Sequence, residues 1–143
     1  MRSLDDVKLA AADFLKILES KKSTTATVVG LEGELGAGKT TFTQALAQVL
    51  GIRQSLTSPT FVIEKNYEIP HTKSHFKHLV HIDAYRLESP HELTRLGFSE
   101  ILTDPANLVL IEWPERIGNL MPSSALRLHF THITPTIRLL TRI

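Results

Sequence analysis

The chain has 143 residues and a formal net charge of +1; 42% of the residues are hydrophobic, 22% are charged, and none is cysteine. This describes one soluble domain, residues 1–143, with a single core, and it excludes disulfides and thiolate metal sites. The sixteen lysines and arginines form no dense block, which argues against a sequence-independent grip on nucleic acid.

Ser3 and Asp6 read as a capping box. Leu4, Val7, Ala11, Phe14, Leu15 and Leu18 then recur at helical spacing, which predicts an amphipathic helix over 4–19. The apolar run that follows predicts a strand over 25–31. It leads into Gly33-Glu34-Leu35-Gly36-Ala37-Gly38-Lys39-Thr40, which fills the phosphate-loop pattern G-x-x-x-x-G-K-S/T. A helix over 40–50 comes next, closed by Gly51 at a C-cap position. Strand, glycine loop and helix in that order aim a helix N-terminus at an anion.

Each fixed position of the loop has a mechanical task. Gly33, Gly36 and Gly38 let the backbone adopt positive φ and bring its N–H groups close to phosphate oxygens. Lys39 reaches the β- and γ-phosphates as a point charge, and the Thr40 hydroxyl can hold Mg2+. An ordinary glycine-rich turn is the bland alternative, and the flanking strand and helix weigh against it.

Residues 52–59 form a polar connection ending in Ser58-Pro59. Two strands are expected over 60–69 and 76–82, with Pro70-His71-Thr72-Lys73-Ser74 as the turn. Ser89-Pro90-x-Glu92 opens a short helix with proline at its first position, and Gly97 ends it. Leu108-Val109-Leu110-Ile111 is an unbroken apolar run, as in a strand buried on both faces. Two last strands are expected over 125–131 and 136–142, around Thr134-Pro135. The whole pattern points to an α/β fold, a P-loop NTPase-like three-layer core with a mixed sheet of parallel and antiparallel strands.

Phosphate chemistry calls for an acid at the end of a neighbouring buried strand, where it meets Mg2+ or its waters. Glu112 directly follows 108–111, and Asp83 directly follows Leu79-Val80-His81-Ile82. A structural, salt-bridged acid is the alternative for either one. Trp113, the only tryptophan, is either core or part of the nucleotide site. Thr57-Ser58-Pro59-Thr60-Phe61 is either a switch loop that senses the γ-phosphate or a plain loop before an edge strand. Arg86 is either a source of transition-state charge or half of a surface ion pair. His71, His75, His78 and His81 fit no zinc spacing. His81 alone shares a strand face with Asp83 and could hydrogen-bond near it.

Four motifs occur in order: Gly33 to Phe42 around the phosphate loop, Ser58-Pro59-Thr60-Phe61, His81-Ile82-Asp83-Ala84-Tyr85-Arg86-Leu87, and Ile111-Glu112-Trp113-Pro114-Glu115-Arg116. Together, over roughly residues 4–130, they closely resemble the TsaE (YjeE) family of small bacterial P-loop ATPases. The resemblance implies ATP binding by Lys39 and the backbone of Gly36, Ala37, Gly38, Lys39, Thr40 and Thr41. It implies Mg2+ held by Thr40 and Glu112, with Asp83 near the metal or the attacking water. Trp113 through Glu115 would lie beside the nucleotide, and Ser58-Pro59-Thr60 would be the switch region. The family's work is N6-threonylcarbamoyladenosine (t6A) modification of tRNA. A TsaB–TsaD heterodimer transfers the group there, and TsaE hydrolysis supports repeated turnover, with tRNA met only through that complex.

Pro135 stands where a glycine-rich turn is usual, and the stretch between the two hairpin strands, 70–75, is richer in lysine and histidine than expected. Arg86 and Arg116 are the only candidates for an arginine finger, so weak intrinsic hydrolysis completed by a partner is expected. Two rivals stand beside the partner-dependent ATPase. A small P-loop kinase needs an arginine-rich lid, and segment 84–100 holds only Arg86 and Arg95. A nucleotide-sensing module would not need both Asp83 and Glu112. With no apolar leader at Met1 and no long apolar run, the cytoplasm is the expected location and no membrane partner is expected.

Overall fold

In the computed structural model, which describes residues 4–21, 23–33, 38–53, 63–70, 74–134 and 137–142, the helical period of the first segment produces α1 (Leu4–Ser20). Its Val7, Ala11, Phe14, Leu15 and Leu18 are buried, and Asp5 and Asp6 sit in the first turn, where the helix dipole favours negative charge. β1 (Thr27–Gly33) and α2 (Lys39–Val49) flank the glycine loop. β2 (Glu64–Glu68) and β3 (His78–Asp83) follow. Two short helices, α3 (His91–Arg95) and α4 (Phe98–Thr103), lead to β4 (Asn107–Glu112). Single 3-10 turns at Pro114–Arg116 and Gly118–Leu120 precede β5 (Leu126–Thr134) and β6 (Ile137–Arg142).

The strands form one six-stranded mixed sheet in the order β2-β3-β4-β1-β5-β6. β3, β4, β1 and β5 run parallel, while β2 and β6 add antiparallel edges. Alternation along the strands sorts side chains to two faces. Val29, Leu31, Leu79, Leu108, Leu110, Leu128 and Phe130 belong to the core that includes α1 and α2. Val28, Val80, Ile82, Val109 and Ile111 pack with Leu93 of α3, Phe98 of α4 and Ile117 between the two 3-10 turns. The result is three layers, and all six residues of β4 are buried, which explains their unbroken apolar run.

β1 passes through α2 and the chain next joins the parallel set at β3, leaving β4 in between. Open α/β sheets bind ligands outside the C-terminal ends of strands at such a reversal of order. Here those are the ends of β1, β3 and β4.

Several expected boundaries move. Asp83 and Glu112 are the last residues of β3 and β4 and pair with each other, because ladder bonding runs one residue beyond the apolar runs. Gly97 does end α3, with φ 82°, but it also starts α4, a helix that the sequence pattern missed. The spacing of Phe98, Ile101 and Leu102 was its one signal. Pro90 is the N-cap of α3 rather than its first residue. Gly51, φ 85°, lies just past the end of α2 and donates to the Gln48 carbonyl at 3.0 Å. Ser3, Gly36, Ala37, the segment Thr57 to Phe61, the turn residues His71, Thr72 and Lys73, and Pro135 lie outside the described residues. Among those described, no helix is long and apolar enough to cross a membrane.

Candidate functional site

Gly33 ends β1 with φ 138°, and a Cβ there would sit 2.4 Å from the Phe130 carbonyl oxygen of β5. Only glycine lets the chain leave the sheet at this point. Gly38, φ 103°, caps α2 with no side-chain cap bond. Among the described residues the first-turn N–H groups of α2 thus receive no bond from their capping residue, a condition in which a helix end can receive an anion. Thr40 is exposed and Thr41 half-buried in that turn.

Lys39 is buried, 5% exposed. Its Nζ donates to the Gly33 carbonyl at 2.7 Å and lies 3.7 Å from the Trp113 ring centroid, a close cation–π contact. Burial lowers its pKa below the ordinary lysine value, against the opposing pull of Glu112, Glu115 and Asp83. Loss of hydration therefore outweighs three carboxylates near the ammonium.

The acids come from adjacent strand ends. Glu112 is paired in register with Asp83 on one side and Leu31 on the other. Asp83 Oδ1 accepts from the Tyr85 N–H at 3.0 Å, which tethers the carboxylate to the turn beyond β3. Glu112 is 5% exposed and its Oε2 lies 2.7 Å from His81 Nε2, itself on a side chain 2% exposed. His81 thus meets Glu112 of the next strand rather than Asp83 of its own. Its ring belongs to the site, and the two-residue period of β3 was the signal, but the partner follows only from strand order.

Trp113 lies against the Lys39 ammonium and also packs on the core. Its φ of 61° and ψ of 53° are left-handed, and it is the only non-glycine residue with positive φ among those described. Such a conformation in a bulky residue costs about 1–3 kcal/mol and persists only where the surroundings enforce it. Pro114 enforces it by packing on Gly30, where a Cβ would meet Pro114 Cγ at 2.9 Å. Trp113 N–H reaches the Leu31 carbonyl at 3.3 Å. The Tyr85 ring lies tilted by 51° against the indole, centroids 5.1 Å apart, and the Arg116 guanidinium lies 5.3 Å from the Tyr85 ring. Glu115, Arg116 and Arg86 are exposed.

The structure therefore brings Lys39, Asp83, Glu112, Trp113 and Glu115 together, with Thr40 and Thr41 on the adjoining helix turn. The other described histidines do not converge: His75 is exposed and stacks on Phe76 at 4.2 Å. Among the described residues no group of three or more His, Asp or Glu is placed to hold a metal.

Parallel strands ending beside a glycine loop that feeds a helix put the fold in the P-loop NTPase-like α/β class. Within that class the chain belongs to the TsaE family: residues 1–139 match the family described as threonylcarbamoyl adenosine biosynthesis protein TsaE. It is 41% identical over 97 residues to the tRNA threonylcarbamoyladenosine biosynthesis protein TsaE of Rickettsia bellii, covering 67% of this chain and 62% of that one. The protein of the same name from Haemophilus influenzae is 34% identical over 111 residues, 78% of this chain and 66% of that one. The matched segments thus span under two thirds of either relative. The crystal structure of Bacillus subtilis YdiB superposes with a TM-score of 0.69 at 28% identity, covering 99% of this chain and 80% of that one.

Proposed function

We propose that the chain binds ATP with Mg2+ and hydrolyses it slowly, in support of t6A modification of tRNA by a TsaB–TsaD heterodimer in the cytoplasm. The observation that carries this reading is Lys39, buried at the start of a helix whose cap is a glycine, with three carboxylates drawing on its charge. A buried ammonium among acids at strand ends is costly as structure and apt as a phosphate ligand.

The donor set suits Mg2+ better than a metal that needs a full protein cage. Mg2+ is commonly held by one or two carboxylates together with substrate phosphates, and the strand ends offer two, Asp83 and Glu112. Thr40 and Glu112 would hold the ion, with Asp83 beside it. Held there, the ion would supply positive charge to the phosphate oxygens. Lys39 binds the β- and γ-phosphates, and the backbone of Gly33, Gly36, Ala37, Gly38, Lys39, Thr40 and Thr41 surrounds them. Asp83, half-buried and tethered by the Tyr85 N–H, would orient the attacking water. Trp113 and Glu115 flank the nucleotide. Neither Arg86 nor Arg116 lies buried against Lys39, which favours weak hydrolysis until a partner supplies charge.

The test is ATP hydrolysis by the purified chain, alone and with the heterodimer. A slow rate that rises with TsaB–TsaD and disappears in Lys39→Ala supports the proposal. A rate indifferent to the heterodimer contradicts the partner assignment, and phosphate transfer to a small acceptor would favour a kinase instead.

A further inference from the structure

Five polar or charged residues are buried among those described: Lys39, Thr43, His81, Asn107 and Glu112. Thr43 Oγ1 donates to the Lys39 carbonyl at 2.9 Å and Asn107 Nδ2 to the Ile101 carbonyl at 3.0 Å. Both are local bonds that satisfy backbone acceptors. His81 differs. Its Nε2 meets Glu112 Oε2 at 2.7 Å, while its Nδ1 is buried with no hydrogen-bond partner among the described residues. The ring sits between Val80 and Ile82 along β3, opposite Leu110 of β4 and Lys65 of β2, and an aliphatic side chain would fill the space without stranding a nitrogen.

The tautomer follows from the contacts. Carrying its proton on Nε2, the ring donates to the carboxylate and leaves only a bare lone pair at Nδ1, which costs less than an unpaired N–H. Register then sets direction. His81 lies opposite Leu110, two residues before Glu112 on the same sheet face. The ring therefore engages one carboxylate oxygen from the sheet side, and the other is left for the strand end.

We propose that His81 is the positioning residue of Glu112, orienting its carboxylate for the divalent cation that accompanies the nucleotide. This rests on the Mg2+ role proposed above for Glu112. Removal of an outer-shell partner of this kind weakens metal binding by about 10- to 100-fold. Gln carries an amide nitrogen at about the reach of Nε2, whereas Asn is too short and Leu has no donor.

The experiment is calorimetric titration of the full chain with a non-hydrolysable ATP analogue, from zero to saturating Mg2+, in wild type, His81→Gln, His81→Asn and His81→Leu. The Mg2+ concentration for half effect should rise about 10- to 100-fold in the Asn and Leu variants and stay near wild type in Gln. Affinity without Mg2+ should be unchanged in all four. Asn and Leu variants that match wild type, or a Gln variant as impaired as Asn, overturn the inference while leaving the ATPase reading intact. A wild type that binds the analogue with no dependence on Mg2+ overturns both. If the Asn and Leu variants do not fold, the imidazole 15N spectrum of wild type decides. The His81 Nε2 signal should move when Mg2+ joins the bound analogue, and an unmoved signal overturns the proposal.

Discussion

Leu110 and Glu112 stand two residues apart on β4, on one face of the sheet, and are 0% and 5% exposed. Equal burial hides opposite physics. Leu110 is surrounded by aliphatic and aromatic side chains of the α1–α2 core, and its removal from water drives folding. Glu112 is held by His81 and sits near the Lys39 ammonium, an arrangement that roughly breaks even for stability. The strand bodies hold the fold together; their last residues hold charge in place at a cost the strand bodies offset.

Substitutions should separate the two regions. The largest effect is expected for Leu110→Ala, which leaves a cavity in the core and should lower stability by about 2–5 kcal/mol in urea unfolding. ATP affinity of the folded variant should be unchanged; a matching loss of affinity would mean that core and site are not separable.

Lys39→Met reverses that pattern. Loss of the charged hydrogen bond proposed between Lys39 and phosphate, about 1.5–3 kcal/mol, should weaken ATP binding roughly 10- to 100-fold without lowering the melting temperature at neutral pH. The sign with pH follows from the lowered Lys39 pKa. Between that value and the ordinary one, the unfolded chain holds a proton that the folded chain has released, so stability gains as pH rises. Wild type should therefore gain on Lys39→Met as pH rises through that window, and parallel curves would contradict the burial argument.

The smallest effect is expected at the junction of the two regions. Gly30→Ala presses on Pro114 Cγ and should cost about 1–3 kcal/mol. It should also change the fluorescence of Trp113 by displacing the turn that holds it. A stable variant with unaltered emission would show that Gly30 does not set the indole's position.

These contrasts also explain what was legible beforehand. The apolar run of β4, the helical period of α1 and the glycine loop each concentrate their signal in neighbouring residues. Lys39, Asp83 and Glu112 could be located from them. α4 spans only Phe98–Thr103, too short to establish a period. The His81–Glu112 contact joins positions 31 apart and depends on β3 lying beside β4. The left-handed Trp113 is dictated by packing between Gly30 and Pro114, which nothing at position 113 announces.

Trp113 is the only tryptophan, so its emission reports directly on the centre of the proposed site. The decisive measurement is intrinsic fluorescence during titration with Mg·ATP. As phosphates draw Lys39 Nζ from its position 3.7 Å off the ring centroid, emission should change and saturate with the calorimetric binding curve; in Lys39→Ala the emission change should disappear while binding weakens roughly 10- to 100-fold. Saturable binding of Mg·ATP with no change at Trp113 would place the nucleotide elsewhere and contradict a site at the ends of β1, β3 and β4.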